Sequence, residues 1–203
     1  MLKVYGHLSS GNCYKVFLAL KQLEIPFDWE NVDAVKRETR SPEFLAKNPQ
    51  GKIPLLEIEP GQYLPESNAI LHYLAAGGAL CPADRYQQAQ VLQWLFFEQY
   101  SHEPYIATSR YVMKFLGSPM ERQADLERWR TPGCAALANM DQHLASRSFF
   151  VAERYTIADI ALYAYTHVAQ EGGFDLSRFP SVQAWLTRVA AQAQHVPMTY
   201  QET

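Results

Sequence analysis

The hydrophobic pattern divides the chain into two regimes. Up to residue 75, short β-branched or aromatic runs alternate with stretches whose apolar residues recur at helical spacing; past residue 84 only helical spacing is strong. Leu2–Tyr5 predicts a first strand. Val16, Phe17, Leu20 and Leu23 predict the helix that follows, and Pro26 ends it. Phe27–Val32 alternates with period two, a half-buried strand, so the opening is a βαβ unit with parallel pairing and a right-handed crossover. Ser41 as N-cap and Pro42 at the first helical position start a short helix. Lys52–Ile58 reads as a strand even though Pro54 donates no ladder bond, which marks Ile53 as offering its backbone to something other than a strand. A cis Ile53–Pro54 bond is open on this reading. After a turn at Glu59–Gln62, Tyr63–Leu64 returns antiparallel, and Ser67 is the expected N-cap of a helix carrying Ile70, Leu71 and Leu74.

The remainder predicts helices. Residues 78–84, small and rich in breakers, read as a linker between a domain over 1–77 and an all-helical one over 85–203. Arg85–Leu116 forms a long helical stretch with Val91, Leu92, Leu95 and Phe96 on one face and a kink at Pro104. Met120–Leu144 is a second, with Pro132-Gly133 expected to break or bend it. Thr156 and Asp159 form a capping box at the start of another, where Asp159→Ala is expected to cost about 1 kcal/mol or more in folding. Pro180 starts the last clear helix, and the tail after Pro197 is expected to fray or lie on the surface.

Composition narrows the class. An apolar share of 48% with 19% charged residues belongs to a folded soluble protein, and 203 residues suffice for a substantial core. A net charge of −3, with no basic run longer than Lys36-Arg37, argues against nucleic-acid or membrane partners. The first residues are strand-like rather than a signal peptide, and no apolar run is long enough to span a bilayer. Cys13, Cys81 and Cys134 are odd in number and widely spaced, giving neither a disulfide framework nor a zinc signature. No metal is expected, and a reducing cytoplasm is the expected location.

The chemistry-bearing stretch is Ser9-Ser10-Gly11-Asn12-Cys13, between the first strand and the first helix. Unpaired amides at the helix start, its positive dipole end and two hydroxyls suit an anion such as a thiolate; capping is the competing reading. Two further motifs, Asn48-Pro49-Gln50-Gly51-Lys52-Ile53-Pro54 and Glu66-Ser67-Asn68-Ala69-Ile70-Leu71, follow at wide separation. Together the three motifs, in this order of strands and helices, resemble the cytosolic glutathione transferases, most of all the bacterial and theta- or delta-like members that use serine. The resemblance extends over the whole chain. It implies a thioredoxin-like α/β N-terminal domain followed by an all-α domain, glutathione as co-substrate, and conjugation of its thiolate to a small, largely apolar electrophile.

Carried over residue by residue, the resemblance implies that Ser10 hydrogen-bonds the glutathione sulfur, with Asn12 and Ser9 as rival activators. Ile53, next to Pro54, would pair its backbone with the cysteinyl unit. Glu66 and Ser67 would hold the γ-glutamyl end, and Lys52 the glycine carboxylate. It further implies that the electrophile sits between the N-terminal loop and the first long helix, where His7, Leu8, Tyr100, Tyr105, Arg110 and Tyr111 are candidates. A two-fold homodimer would use the face around Tyr63, Ile70, Leu92 and Phe96. Tyr5 reads as a core residue and Cys13 as an inert residue of the first helix. The alternatives are a non-catalytic or regulatory relative that keeps the fold, and a glutathione-dependent disulfide reductase or peroxidase.

Overall fold

The computed structural model describes residues 1–199. Two units emerge from the packing: Met1–Ala76 together with the described residues from Ala193 onward, and Gly77–Gln192. In the first, β1 (Leu2–Gly6), α1 (Gly11–Gln22) and β2 (Phe27–Asn31) form the βαβ unit. There follow α2 (Pro42–Lys47), β3 (Leu55–Glu59), β4 (Gln62–Pro65) and α3 (Ser67–Ala75). The sheet order is β2-β1-β3-β4, with β1 parallel to β2 and β3 antiparallel to both β1 and β4. One side of the sheet packs Val4 and Leu56 against Val16, Leu20 and Ile70. The other packs Tyr5 and Leu55 against Val32 and Phe44. Alternation along β1 and β3 is what sends neighbouring residues to opposite layers.

Two details of this unit differ from the sequence pattern. The third strand begins at Leu55 rather than Lys52, since Pro54 has no N–H to give to a ladder; the Ile53–Pro54 bond is cis. Ser67 is not the N-cap of α3 but its first residue; Glu66 holds the cap position, with φ 71° and ψ 110°. Ser41 caps α2 as expected, accepting from the Phe44 N–H at 3.2 Å. The chain returns to α1 late. The Tyr14 hydroxyl donates to the Val196 carbonyl at 2.7 Å, and the Gln22 amide to that of Ala193 at 3.4 Å. These bonds group Ala193–Val196 with the sheet unit rather than with the helices; the tail beyond Thr199 lies outside the described residues.

In the second unit α4 (Arg85–Phe97) leads through a π-helical turn, Glu98–His102, into α5 (Glu103–Arg110) and a second such turn, Tyr111–Phe115. Pro104 lacks the N–H that an α-helical ladder requires there, which accounts for a widened turn just before it. Then come α6 (Gln123–Leu144), α7 (Ile157–Thr166) and α8 (Pro180–Ala190). The expected break at Pro132-Gly133 is absent, and α6 runs through both residues. Gly133 serves packing instead: a β-carbon there would collide with the Phe174 ring. All ten residues of α7 are buried, as befits a helix at the centre of its unit.

The capping box of α7 does more than cap. Asp159 Oδ2 accepts from the Thr156 N–H at 2.9 Å and from the Thr156 hydroxyl at 3.2 Å. Its Oδ1 accepts from the Phe150 N–H at 3.2 Å and the Trp185 indole at 2.9 Å. One carboxylate therefore ties α7 to α8 and to the strand-like connector before it. Phe150 packs at a tilt against Trp94 and edge-on against Trp185, with ring centroids 4.6 and 5.1 Å apart. Among the described residues no helix is long and apolar enough to cross a membrane.

Candidate functional site

The sheet register gathers the three motifs of the N-terminal unit. Tyr5 pairs with Leu55, and Leu55 with Pro65. The segments that leave these positions, His7–Ser10 after β1, Ile53-Pro54 before β3 and Glu66-Ser67 after β4, therefore stand at one end of the sheet. Ile53 lies outside the ladder, so strand pairing does not use its N–H and C=O. Lys52 is exposed, and its carbonyl accepts from the Asn48 side-chain amide at 2.8 Å.

The loop before α1 separates the two serines. His7 Nδ1 lies 3.3 Å from the Ser9 N and 2.7 Å from the Ser9 hydroxyl, so the Ser9 side chain is engaged with the imidazole. Ser10 is the N-cap of α1, with extended backbone, yet its hydroxyl accepts no bond from the helix amides. Its backbone is fixed at both ends, by N–H to the His7 carbonyl at 2.9 Å and by C=O from the Tyr14 N–H at 2.9 Å. This hydroxyl stands at a helix start whose amides suit an anion, and it is shared with the Cys13 sulfur beneath the loop.

Cys13 is fully buried beneath the loop. Burial pushes its thiol up to about 12, against the pull of the His7 backbone and Ser10 hydroxyl. It is a packing residue, not a nucleophile at neutral pH.

Asn12 and Ser67 join α1 to α3. The Ser67 hydroxyl donates to Asn12 Oδ1 at 3.1 Å and accepts from Lys15 Nζ at 3.4 Å; the same ammonium reaches Asn68 Oδ1 at 3.4 Å. Lys15 and Ser67 are buried, and Glu66 is exposed. Glu66 makes no side-chain cap bond, and its positive φ is uncommon for a residue with a β-carbon. Backbone outliers of this kind concentrate at ligand sites. Lys15 and Asn68 escaped the reading of the sequence. The only signal for Lys15 was a lysine on the inward face of an amphipathic helix.

The candidates on the helical unit fare differently. Tyr105 is half-buried on α5, and Tyr100 and Tyr111 are 85% and 46% exposed. Arg110 is not available to line a pocket. It is buried, donates from Nε to Glu171 Oε2 at 2.6 Å, and lies over the Phe115 ring. Lys114 donates to the other Glu171 oxygen at 2.6 Å. Despite partial burial, these two cations hold the Glu171 carboxyl below its usual range. A cavity of about 360 Å³ in this unit is lined by Met113, Leu126, Glu127 and Arg130 among others, and by none of the predicted site residues. His7 and Leu8, on the sheet unit, are half-buried. Among the described residues no three His, Cys, Asp or Glu side chains converge in the manner of a metal site.

A four-stranded mixed sheet with this serine loop, followed by a helical unit, is the fold of the cytosolic glutathione transferase superfamily. Residues 1–76 match the family model for the glutathione S-transferase N-terminal domain, and 105–193 that for its C-terminal domain. A glutathione S-transferase structure from Pseudomonas fluorescens is 52% identical with a TM-score of 0.96, covering 98% of this chain and 99% of that one. A glutathione transferase family member from the same species, solved with two glutathione molecules bound, is 29% identical with a TM-score of 0.84, covering 95% and 89%. The glutathione S-transferase-like protein LUC7 of Fusarium is 32% identical over 92% of this chain and 87% of its own. Drosophila elongation factor 1-gamma is 34% identical over 76% of this chain, which covers 36% of its length. The chain belongs to the glutathione S-transferase family.

Proposed function

We propose that this protein is a glutathione transferase in which Ser10 stabilises the thiolate of glutathione for attack on a small, largely apolar electrophile. The observation that carries the reading is the Ser10 hydroxyl, placed at the start of α1 without a capping bond, at the sheet end shared by Ile53 and the start of α3. The residues fit the tripeptide. Ile53 offers a strand-like N–H and C=O to the cysteinyl unit, the start of α3 with Ser67 faces the γ-glutamyl carboxylate, and Glu66 faces its amino group. Lys52, exposed beside them, suits the glycine carboxylate. Asn12 is a supporting residue, since its carbonyl oxygen is bonded to Ser67. A structural relative with glutathione bound supports the same choice of ligand.

One charge-assisted hydrogen bond contributes about 1.5–3 kcal/mol, and each unit of thiol pKa corresponds to about 1.4 kcal/mol. Ser10 and the first-turn amides therefore lower the thiol pKa by about one to two units. The thiolate sulfur then forms a bond to the electrophilic carbon while the leaving group departs with its electron pair. The enzyme's contribution is nucleophile activation and proximity.

The domain assignment proposed with this function is 1–77 for glutathione and the helices from residue 85 for the electrophile. Half-buried Tyr63 on β4, with Leu92 and Phe96, 38% and 70% exposed on α4, are the residues proposed for a two-fold homodimer contact. Ile70 has no place in that contact, because it is wholly buried in the sheet unit's core. A cytoplasmic location goes with the same proposal. The elongation-factor relative keeps a second reading in view, a protein that retains the fold without catalysis. The buried, protonated Cys13 speaks against a disulfide reductase. Glutathione titration by calorimetry, followed by conjugation of an activated aryl chloride, separates the readings: binding with turnover supports the transferase, and binding without turnover of any electrophile in a panel supports the non-catalytic relative.

A further inference from the structure

We infer that Lys15 is a positioning residue for glutathione, the buried counter-charge that holds the γ-glutamyl α-carboxylate at the start of α3. The inference rests on the glutathione reading above and extends it to a residue of α1 placed behind the site. Lys15 is wholly buried, a costly place for an ammonium unless the surrounding groups answer its charge. Its Nζ lies 3.4 Å from both Ser67 Oγ and Asn68 Oδ1, the first two side chains of α3. That helix has no acidic residue within its first turn, and Glu66 at its N-cap makes no side-chain cap bond, so the first amides of the helix are not taken by a cap side chain.

The ammonium, the helix dipole and the Ser67 and Asn68 amides thus add up at one point. A carboxylate docked there meets the Lys15 amine behind the partial charge of the helix start, in a setting where burial weakens solvent screening. Lys15 also fixes the hydroxyl that would meet the ligand. By donating to Ser67 Oγ it leaves the Ser67 proton as the part free to turn, from Asn12 toward the carboxylate. On α1 it stands one turn beyond Asn12, so a single helix face carries both partners of Ser67.

The test compares two ligands. Glutathione and 4-aminobutyryl-cysteinyl-glycine differ only in the α-carboxylate and share the amine and both peptide units. Dissociation constants for both are measured by calorimetry with wild type, Lys15→Met and Lys15→Gln, each variant checked for a cooperative melt. Wild type is expected to prefer glutathione by about tenfold or more. In both variants that preference falls by about tenfold, while affinity for the carboxylate-free analogue is unchanged. A purely structural role for Lys15 weakens both ligands alike, and that result overturns the inference, as does an unaltered preference. A readout on wild type alone covers the case in which neither variant folds: with lysine side chains isotopically labelled, the Lys15 resonance shifts on adding glutathione and not on adding the analogue. Equal shifts, or none with either, overturn the inference. Wild type that binds neither ligand overturns the glutathione reading itself, a failure distinct from the failure of Lys15 within a protein that does bind.

Discussion

Replacing Asp159 by alanine is expected to destabilise the helical unit well beyond the loss of a helix cap. The carboxylate receives two backbone N–H groups, one indole N–H and one hydroxyl, all buried. Alanine leaves the Thr156 and Phe150 amides and the Trp185 indole without an acceptor, each at about 1–3 kcal/mol. The hydroxyl can turn to another acceptor, and some of the vacated space admits water, so the expected loss is about 3–6 kcal/mol. The cap alone would give about 1 kcal/mol. Urea unfolding at pH 7, followed by circular dichroism and tryptophan fluorescence, measures the difference.

The pH dependence provides an independent check. Burial raises the Asp159 carboxyl from 3.8 to about 6, even with its four donors. Between those values the unfolded chain has released a proton that the folded one retains, so stability contributed by this group is complete below about pH 4 and is lost as pH rises through about 6. The gap between wild type and Asp159→Ala therefore narrows from pH 4.5 to pH 7. A loss below 1 kcal/mol at pH 7, or a gap that widens with pH, refutes this account of the carboxylate.

Gly133→Ala is expected to cost about 1–3 kcal/mol in the same unfolding assay, because its β-carbon would overlap the Phe174 ring within a packed interface; an unchanged midpoint contradicts that packing. Cys13 should resist alkylation by iodoacetamide at pH 8 in the folded protein, since burial holds its thiol near 12, and mass spectrometry should find it labelled only after denaturation. Prompt labelling of native Cys13 would restore it as a reactive thiol.

Local pattern made much of the N-terminal unit legible. Leu2–Tyr5, legible from its β-branched and aromatic residues, and Phe27–Val32, legible from period-two alternation, are paired strands, and Ser41-Pro42 carries its helix start in adjacent residues. What escaped depends on contacts distant in sequence. Pro132-Gly133 looked like a break, but the glycine is there to admit Phe174, a ring 41 residues further on. Arg110 looked like a pocket cation until Glu171 placed its guanidinium inside the unit. Ile70 fell in the core because α3 packs on the sheet with that face inward. Ser9 and Ser10 are chemically identical on paper; a hydrogen bond to His7 tells them apart. Lys15 was invisible as a site residue because its partners, Ser67 and Asn68, are more than 50 positions away.

The central claim is that Ser10 holds the glutathione thiolate, and the thiolate's ultraviolet absorbance against pH tests it most directly. Wild-type protein saturated with glutathione should show a thiol pKa about one to two units below that of the free tripeptide. Ser10→Ala should still bind glutathione but lose that shift, together with most of its conjugation rate. An equal shift in both proteins would contradict the assignment and move the role to Asn12, Ser9 or the helix amides; no glutathione binding by wild type would contradict the transferase itself.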